Sequence, residues 1–151
     1  MKKYKLTNRV IVPITKTEAW EFLSNPANLE KITSEDLKFR SLDPLPTEMY
    51  EGMIIRYQIR PFLNIRLNWI TKITDIDEGT MFIDEQYSGP FRYWKHEHRL
   101  IETSAGTEIH DIVYYEIPFF FLGRIAHKLF IRKKIQTFFD YRNEKITNYF
   151  A

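Results

Sequence analysis

The chain has 151 residues, 44% of them hydrophobic and 28% charged, with no cysteine and a formal charge of +2. One domain spanning 1–151 with a sizeable core fits that length, disulfides and thiolate zinc sites are excluded, and a reducing compartment is compatible. No uncharged run approaches the length that crosses a bilayer as a helix, and an aromatic share of 16% suits either a lined cavity or a bulky core.

Taken in order, Tyr4, Leu6, Asn8, Val10 and Val12 alternate with Lys3, Lys5 and Arg9. That predicts a half-buried strand ending near Pro13, not a secretory signal. Thr15-Lys-Thr-Glu18 has capping-box spacing and opens a short helix over 17–23. Asn25-Pro26 places an N-cap before a first-turn proline and opens a second short helix to Ile32. Residues 37–42 read as a strand, and Asp43-Pro44-Leu45-Pro46 as a loop closed by Gly52, because neither proline can donate to a ladder.

From Gly52 the alternation is clean. Met53, Ile55, Tyr57 and Ile59 mark one inward face; Ile65, Leu67, Trp69, Thr71 and Ile73 mark the next. Residues 75–79 read as a turn. The following strand, 80–87, is ambiguous, since Met81 and Ile83 compete with Phe82, Asp84 and Gln86 for the inward face.

The best-specified stretch is 89–117. Trp94, His96, His98 and Leu100 share one face of a strand; Thr107, Ile109, Asp111, Val113, Tyr115 and Ile117 share one face of the next. A turn at Ser104-Ala105 pairs Leu100 with Ile109, His98 with Asp111, His96 with Val113 and Trp94 with Tyr115, and a one-residue slip destroys the match. After Pro118 the pattern turns helical. Ile131, Ile135, Phe138, Phe139, Ile146, Tyr149 and Phe150 form an apolar stripe with Arg142 in its middle, while Leu122, Ile125, Ala126 and Leu129 form a stripe rotated away from it. Either the helix bends or two helices abut.

The order of elements, with Gly52, Trp69, Phe82-Ile-Asp84-Glu-Gln86, Gly89-Pro90-Phe91, Trp94-Lys-His96-Glu-His98, Asp111, Tyr115 with Pro118, and Phe139-Asp-Tyr-Arg142, resembles the START and birch-pollen-allergen-like (SRPBCC) superfamily. Within it, the similarity is to small bacterial ligand-binding, cell-division-inhibitor-like members. The resemblance implies an α+β helix-grip fold: a curved antiparallel sheet of about 6–7 strands wrapped around a long C-terminal helix, with two short helices after the first strand. It also implies an internal cavity, and it turns Phe82, Asp84 and Gln86 inward.

The expected function is binding of a hydrophobic or amphipathic small molecule (lipid, isoprenoid or polyketide-like) in that cavity. Tyr57, Trp69, Phe82, Asp84, Gln86 and Trp94 are expected to line it, with His96, His98, Asp111, Tyr115, Phe138 and Arg142, although inward aromatics are core by default. Arg142 requires an anion, either Asp84 or Asp111 on the sheet or a ligand carboxylate or phosphate. The alternative function is a cyclase- or hydrolase-type enzyme using His96, His98 and Asp111 with Tyr115 as proton donor, for which the His98/Asp111 pair is the acid–base candidate. His96-x-His98 also has the spacing of a metal site on a strand, but histidines beside acids are more often an interior hydrogen-bond network, so no metal and no cofactor are expected. Arg124, Lys128, Arg132, Lys133 and Lys134 lie in an acid-free stretch beside Phe119-Phe120-Phe121. They suggest peripheral contact with an anionic membrane or partner, against a solvated helix face as the plain reading. No nucleic acid is expected, and the expected location is cytoplasmic.

Overall fold

A computed structural model describes residues 2–33, 35–61 and 63–151. Seven antiparallel strands form one open sheet in the order β1-β7-β6-β5-β4-β3-β2. They are β1 (Lys3–Val12), β2 (Arg40–Ser41), β3 (Ile54–Ile59), β4 (Leu67–Asp77), β5 (Met81–Ser88), β6 (Tyr93–Thr103) and β7 (Gly106–Glu116). Two short helices, α1 (Lys16–Leu23) and α2 (Asn28–Ile32), follow β1. The chain ends in a 30-residue helical run made of α3 (Phe120–Ala126), a π turn (His127–Ile131) and α4 (Arg132–Tyr149). No described helix is long and apolar enough to cross a membrane.

The β6–β7 hairpin has the register required by its two inward faces: Trp94 opposite Tyr115, His96 opposite Val113, His98 opposite Asp111, and Leu100 opposite Ile109. Its turn is fixed by Gly106, whose φ of +132° belongs to glycine and whose added Cβ would sit 2.1 Å from the Val12 carbonyl oxygen. Thr15 and Glu18 form the reciprocal capping box that starts α1.

Several boundaries differ from the sequence reading, each for a local reason. Asn25 accepts from the amide of Ala27 and so caps a turn; α2 begins only at Asn28. Of 37–42, only Arg40–Ser41 is strand, because a short 3-10 turn (Glu35–Leu37) precedes it. Ile65 lies outside β4 and is exposed. β4 also runs on through 75–77 instead of turning, because a bulge between Ile73 and Asp75 adds one residue and moves the inward position from Ile73 to Ile76. Opposite the bulge, Phe82 pairs with Ile76.

The helical run is continuous but rephased. Its buried positions are Gly123, His127, Ile135, Phe139, Arg142 and Ile146, with Ile131 half-buried. Leu122, Ile125 and Leu129, expected as a stripe, are exposed, and so is Tyr149. The wider π turn rotates the chain so that His127 takes the inward place.

Apolar packing divides into two clusters. One gathers Val12, Trp20, Phe82, Leu100, Ile109 and Ile146; the other gathers Leu6, Trp94, Val113, Tyr115, Ile135 and Phe139. Trp69 packs against both.

Candidate functional site

Between the two clusters, five elements contribute polar side chains where their neighbours are apolar: Asn8 on β1, Asp84 on β5, His96 and His98 on β6, Asp111 on β7, and Arg142 with Asn143 on α4. These residues form a belt across the sheet–helix interface.

Asp111 is its hub. Oδ1 accepts from His96 Nε2 at 2.7 Å and from Arg142 Nη1 at 3.0 Å, and Oδ2 accepts from Asn8 Nδ2 at 3.3 Å. Asn8 and Asn143 exchange amide hydrogen bonds, both 2.8 Å. His98 Nε2 donates to Asp84 Oδ2 at 2.6 Å. His98 and Asp111 are cross-strand neighbours as expected, but the hydrogen bonds cross, each histidine bonding the carboxylate diagonal to it. His98 Nδ1 remains 3.6 Å from Asp111 Oδ1, beyond hydrogen-bond reach. Diagonal neighbours on a sheet are within reach of long side chains, and Arg142 approaching from the helix occupies the same Asp111 oxygen.

The imidazoles of His96 and His98 stack at 3.7 Å, and His98 stacks on Phe82 at 4.0 Å. Burial and the neighbouring His96 push the His98 pKa down to about 4, so it is neutral at neutral pH. Burial raises the Asp111 carboxyl, but Arg142 and the His96 hydrogen bond outweigh it and hold the group well below the usual carboxylate range. For Asp84 the same contest, burial against the His98 hydrogen bond, also ends lower.

The ligand atoms of Asp84, His96 and His98 lie within 4.8 Å of one another, a spacing a metal ion would accept. Both Nε2 atoms, however, are engaged by carboxylates, and Arg142 brings a fixed positive charge to the same cluster. The donor set fits an internal ion-pair network better than a cation site. Two buried nitrogens of this network, His98 Nδ1 and Arg142 Nε, have no hydrogen-bond partner among the described residues.

Tyr115 stands apart from the belt. Its hydroxyl meets His127 Nε2 at 2.6 Å, and burial pushes its pKa up to about 12. His127 stacks on Tyr4 at 3.6 Å, and burial lowers its pKa. His127, Asn8 and Asn143 were not singled out from the sequence. The available signals were that Asn8 is the one polar residue among the inward positions of β1, and that Gly123, His127, Ile131, Ile135 and Phe139 recur every four residues.

The remaining expected lining residues divide between roles. Tyr57 is buried against Phe39 at 4.3 Å and makes no hydrogen bond to the belt, although burial and then the Asp84 charge raise its pKa. Gln86 holds the 89–92 turn by bonding both the amide and the carbonyl of Phe91. Trp94 packs with Trp69, Phe91 and Tyr115, continuing an aromatic wall that reaches Tyr4. Phe138 is half-buried against Phe139.

Open volume lies at the end of that wall. A cavity of about 240 Å³ between the sheet edge and α3 is lined by Lys2, Tyr4, Ile117, Phe120, Phe121 and Arg124, with Gly123 at its floor. Gly123 permits the close approach, since a Cβ there would sit 2.2 Å from the Pro118 carbonyl oxygen. A second cavity, about 320 Å³, lies beside Glu51, Gly52, Lys72, Ile73 and Thr74. Neither is lined by His96, His98, Asp111 or Arg142.

No family model matches the sequence, and no curated protein sequence matches it either. Solved structures do match. Protein CV1439 from Chromobacterium violaceum superposes with a TM-score of 0.74 at 7% identity, covering 97% of this chain and 96% of its own. The major latex-like protein 151 of Panax ginseng gives 0.71 at 12% identity, covering 99% and 98%. The allergen Ara h 8.0201 gives 0.62 at 10% identity, covering 96% and 98%. At such identities the likeness carries the architecture alone, and by it the chain has the helix-grip fold that these structures share.

Proposed function

We propose that the protein binds a hydrophobic or amphipathic small molecule of lipid, isoprenoid or polyketide type between the sheet and the C-terminal helical run. The apolar part lies against Tyr4, Ile117, Phe120 and Phe121, and an anionic end meets Lys2 and Arg124. The observation that carries this reading is the cavity of about 240 Å³ whose apolar walls bear two cations. Small-molecule sites are mostly apolar with a few placed polar groups, and guanidinium suits a carboxylate or phosphate. Catalysis by the His/Asp belt has less support, because its imidazoles are buried, bonded to carboxylates and outside both cavities.

The test is a titration of delipidated protein with a fluorescent long-chain fatty acid, without vesicles, followed by native mass spectrometry. One molecule should bind per chain. Ile117→Trp, which fills the cavity from its wall, should abolish binding, and Arg124→Ala should weaken it by roughly tenfold. No binding, or binding indifferent to both substitutions, overturns the reading.

A further inference from the structure

Among the described residues, exposed apolar side chains concentrate around α3 and the π turn. All four side chains of residues 119–122, together with Leu129 and Phe130, are between 58 and 73% exposed. Contiguous exposed apolar surface on this scale marks a contact site. The turn into α3 is also strained: Phe119 and Phe120 both adopt left-handed backbone, φ +72° and +46°, which bulky residues rarely do.

Charge is arranged around the same surface. Residues 117–139 hold Arg124, Lys128, Arg132, Lys133 and Lys134 and no acid. Residues 52–74 hold four further basic residues and no acid, although Arg56 is paired with Asp43 and Lys72 stands opposite Glu85; Lys134 donates to the Pro61 carbonyl, which ties that second stretch, with exposed Leu63, to the start of α4. The two stretches thus contain nine of the 22 basic residues and none of the 20 acidic ones, so the rest of the chain is acidic on balance.

A second copy of the chain is a poor occupant for this surface, because a two-fold contact sets the patch against itself and brings cations together with no acid between them. Exposed phenylalanine and leucine interleaved with lysine and arginine fit a surface that is anionic outside and apolar beneath. We propose that α3 and the π turn dock the protein on an anionic lipid bilayer, with Phe119, Leu122, Leu129 and Phe130 entering the interface and Lys128, Arg132 and Lys133 meeting headgroups. The cavity shares Phe120, Phe121 and Arg124 with this face and therefore opens towards the bilayer. Docking does not depend on the ligand reading, because none of the inserting residues lines the cavity.

The experiment is co-sedimentation of the intact protein with vesicles of phosphatidylcholine alone and of phosphatidylcholine mixed with phosphatidylserine, at low and high salt. Binding should require phosphatidylserine and should fall as salt rises. Two variants separate the contributions: Phe119→Ser/Leu122→Ser/Phe130→Ser, and Lys128→Glu/Lys133→Glu. Each should keep the fatty-acid titration of the parent and lose roughly tenfold or more in vesicle affinity. The proposal is overturned by absence of binding at low salt, by equal binding to neutral vesicles, or by variants that bind like the parent. Patch-dependent dimers in vesicle-free sedimentation would overturn it in favour of self-association. RNA binding that survives the serine substitutions, with no vesicle binding, would overturn it in favour of nucleic acid.

Discussion

Arg142 shows how much one residue can announce in a sequence. A guanidinium in the middle of an apolar helical stripe has to leave water, and only a carboxylate or a ligand anion can compensate it. In the structure it is 2% exposed and bonded to Asp111, itself 1% exposed. Arg142→Met should therefore destabilise by roughly 3–5 kcal/mol in denaturant titrations, because Asp111 keeps its charge and loses its main counter-ion. An unchanged midpoint would mean that His96 and Asn8 suffice to hold Asp111. That Arg142 needed a partner was legible; which oxygen each histidine would choose was not. Register sets which residues face each other, whereas the crossed bonds His96–Asp111 and His98–Asp84 depend on side-chain reach along a twisted sheet and on where the helix places Arg142.

Among the elements, strands were legible where alternation ran unbroken, as in β6 and β7, and were misread where one residue intrudes. The bulge in β4 breaks the period at Ile73, so 75–77 looks like turn although it is strand. The helical run carries the equivalent irregularity. A step of four residues advances an α-helix by about 400°, so a stripe repeating every four drifts by about 40° per step. Gly123, His127, Ile131, Ile135 and Phe139 keep such a repeat, and the π turn at 127–131 takes up the drift. Deleting Leu129, which is exposed, should return the turn to α geometry and rotate α3 by about 100° relative to α4. The variant should fold, since α4 and the sheet are untouched, but the His127 ring should leave Tyr4 and Tyr115. In NMR spectra its resonances should lose the upfield shift caused by stacking at 3.6 Å on Tyr4. Retention of that shift would show that the π turn does not aim His127.

At the scale of the whole molecule, the order of elements was legible because periods of two and 3.6 residues mark strands and helices directly. The location of open volume was not, because a cavity is what packing leaves over and has no period; the expected lining residues Trp94, His96 and Phe138 pack together, and the volume lies under α3. The polar belt between the two apolar clusters has a further global consequence. His98 has its pKa lowered to about 4 from an ordinary value near 6.5. Between those values the unfolded chain binds the proton and the folded chain does not, so protonation favours unfolding and stability rises with pH across that window. Asp84 and Asp111, both held below their ordinary values, add a loss of the same sign at lower pH, as acid protonates carboxylates that the folded state keeps charged. Denaturant midpoints should therefore be flat from neutral pH to about 6.5 and then fall progressively towards pH 4, with His98 alone contributing on the order of 3 kcal/mol. In His98→Phe the fall between pH 6.5 and 4 should shrink to the share of His127, whose pKa burial also lowers, with the rest at lower pH where the carboxylates titrate, even if the substitution shifts the neutral-pH midpoint. An unaltered decline between pH 6.5 and 4 in that variant would move the acid sensitivity to another group.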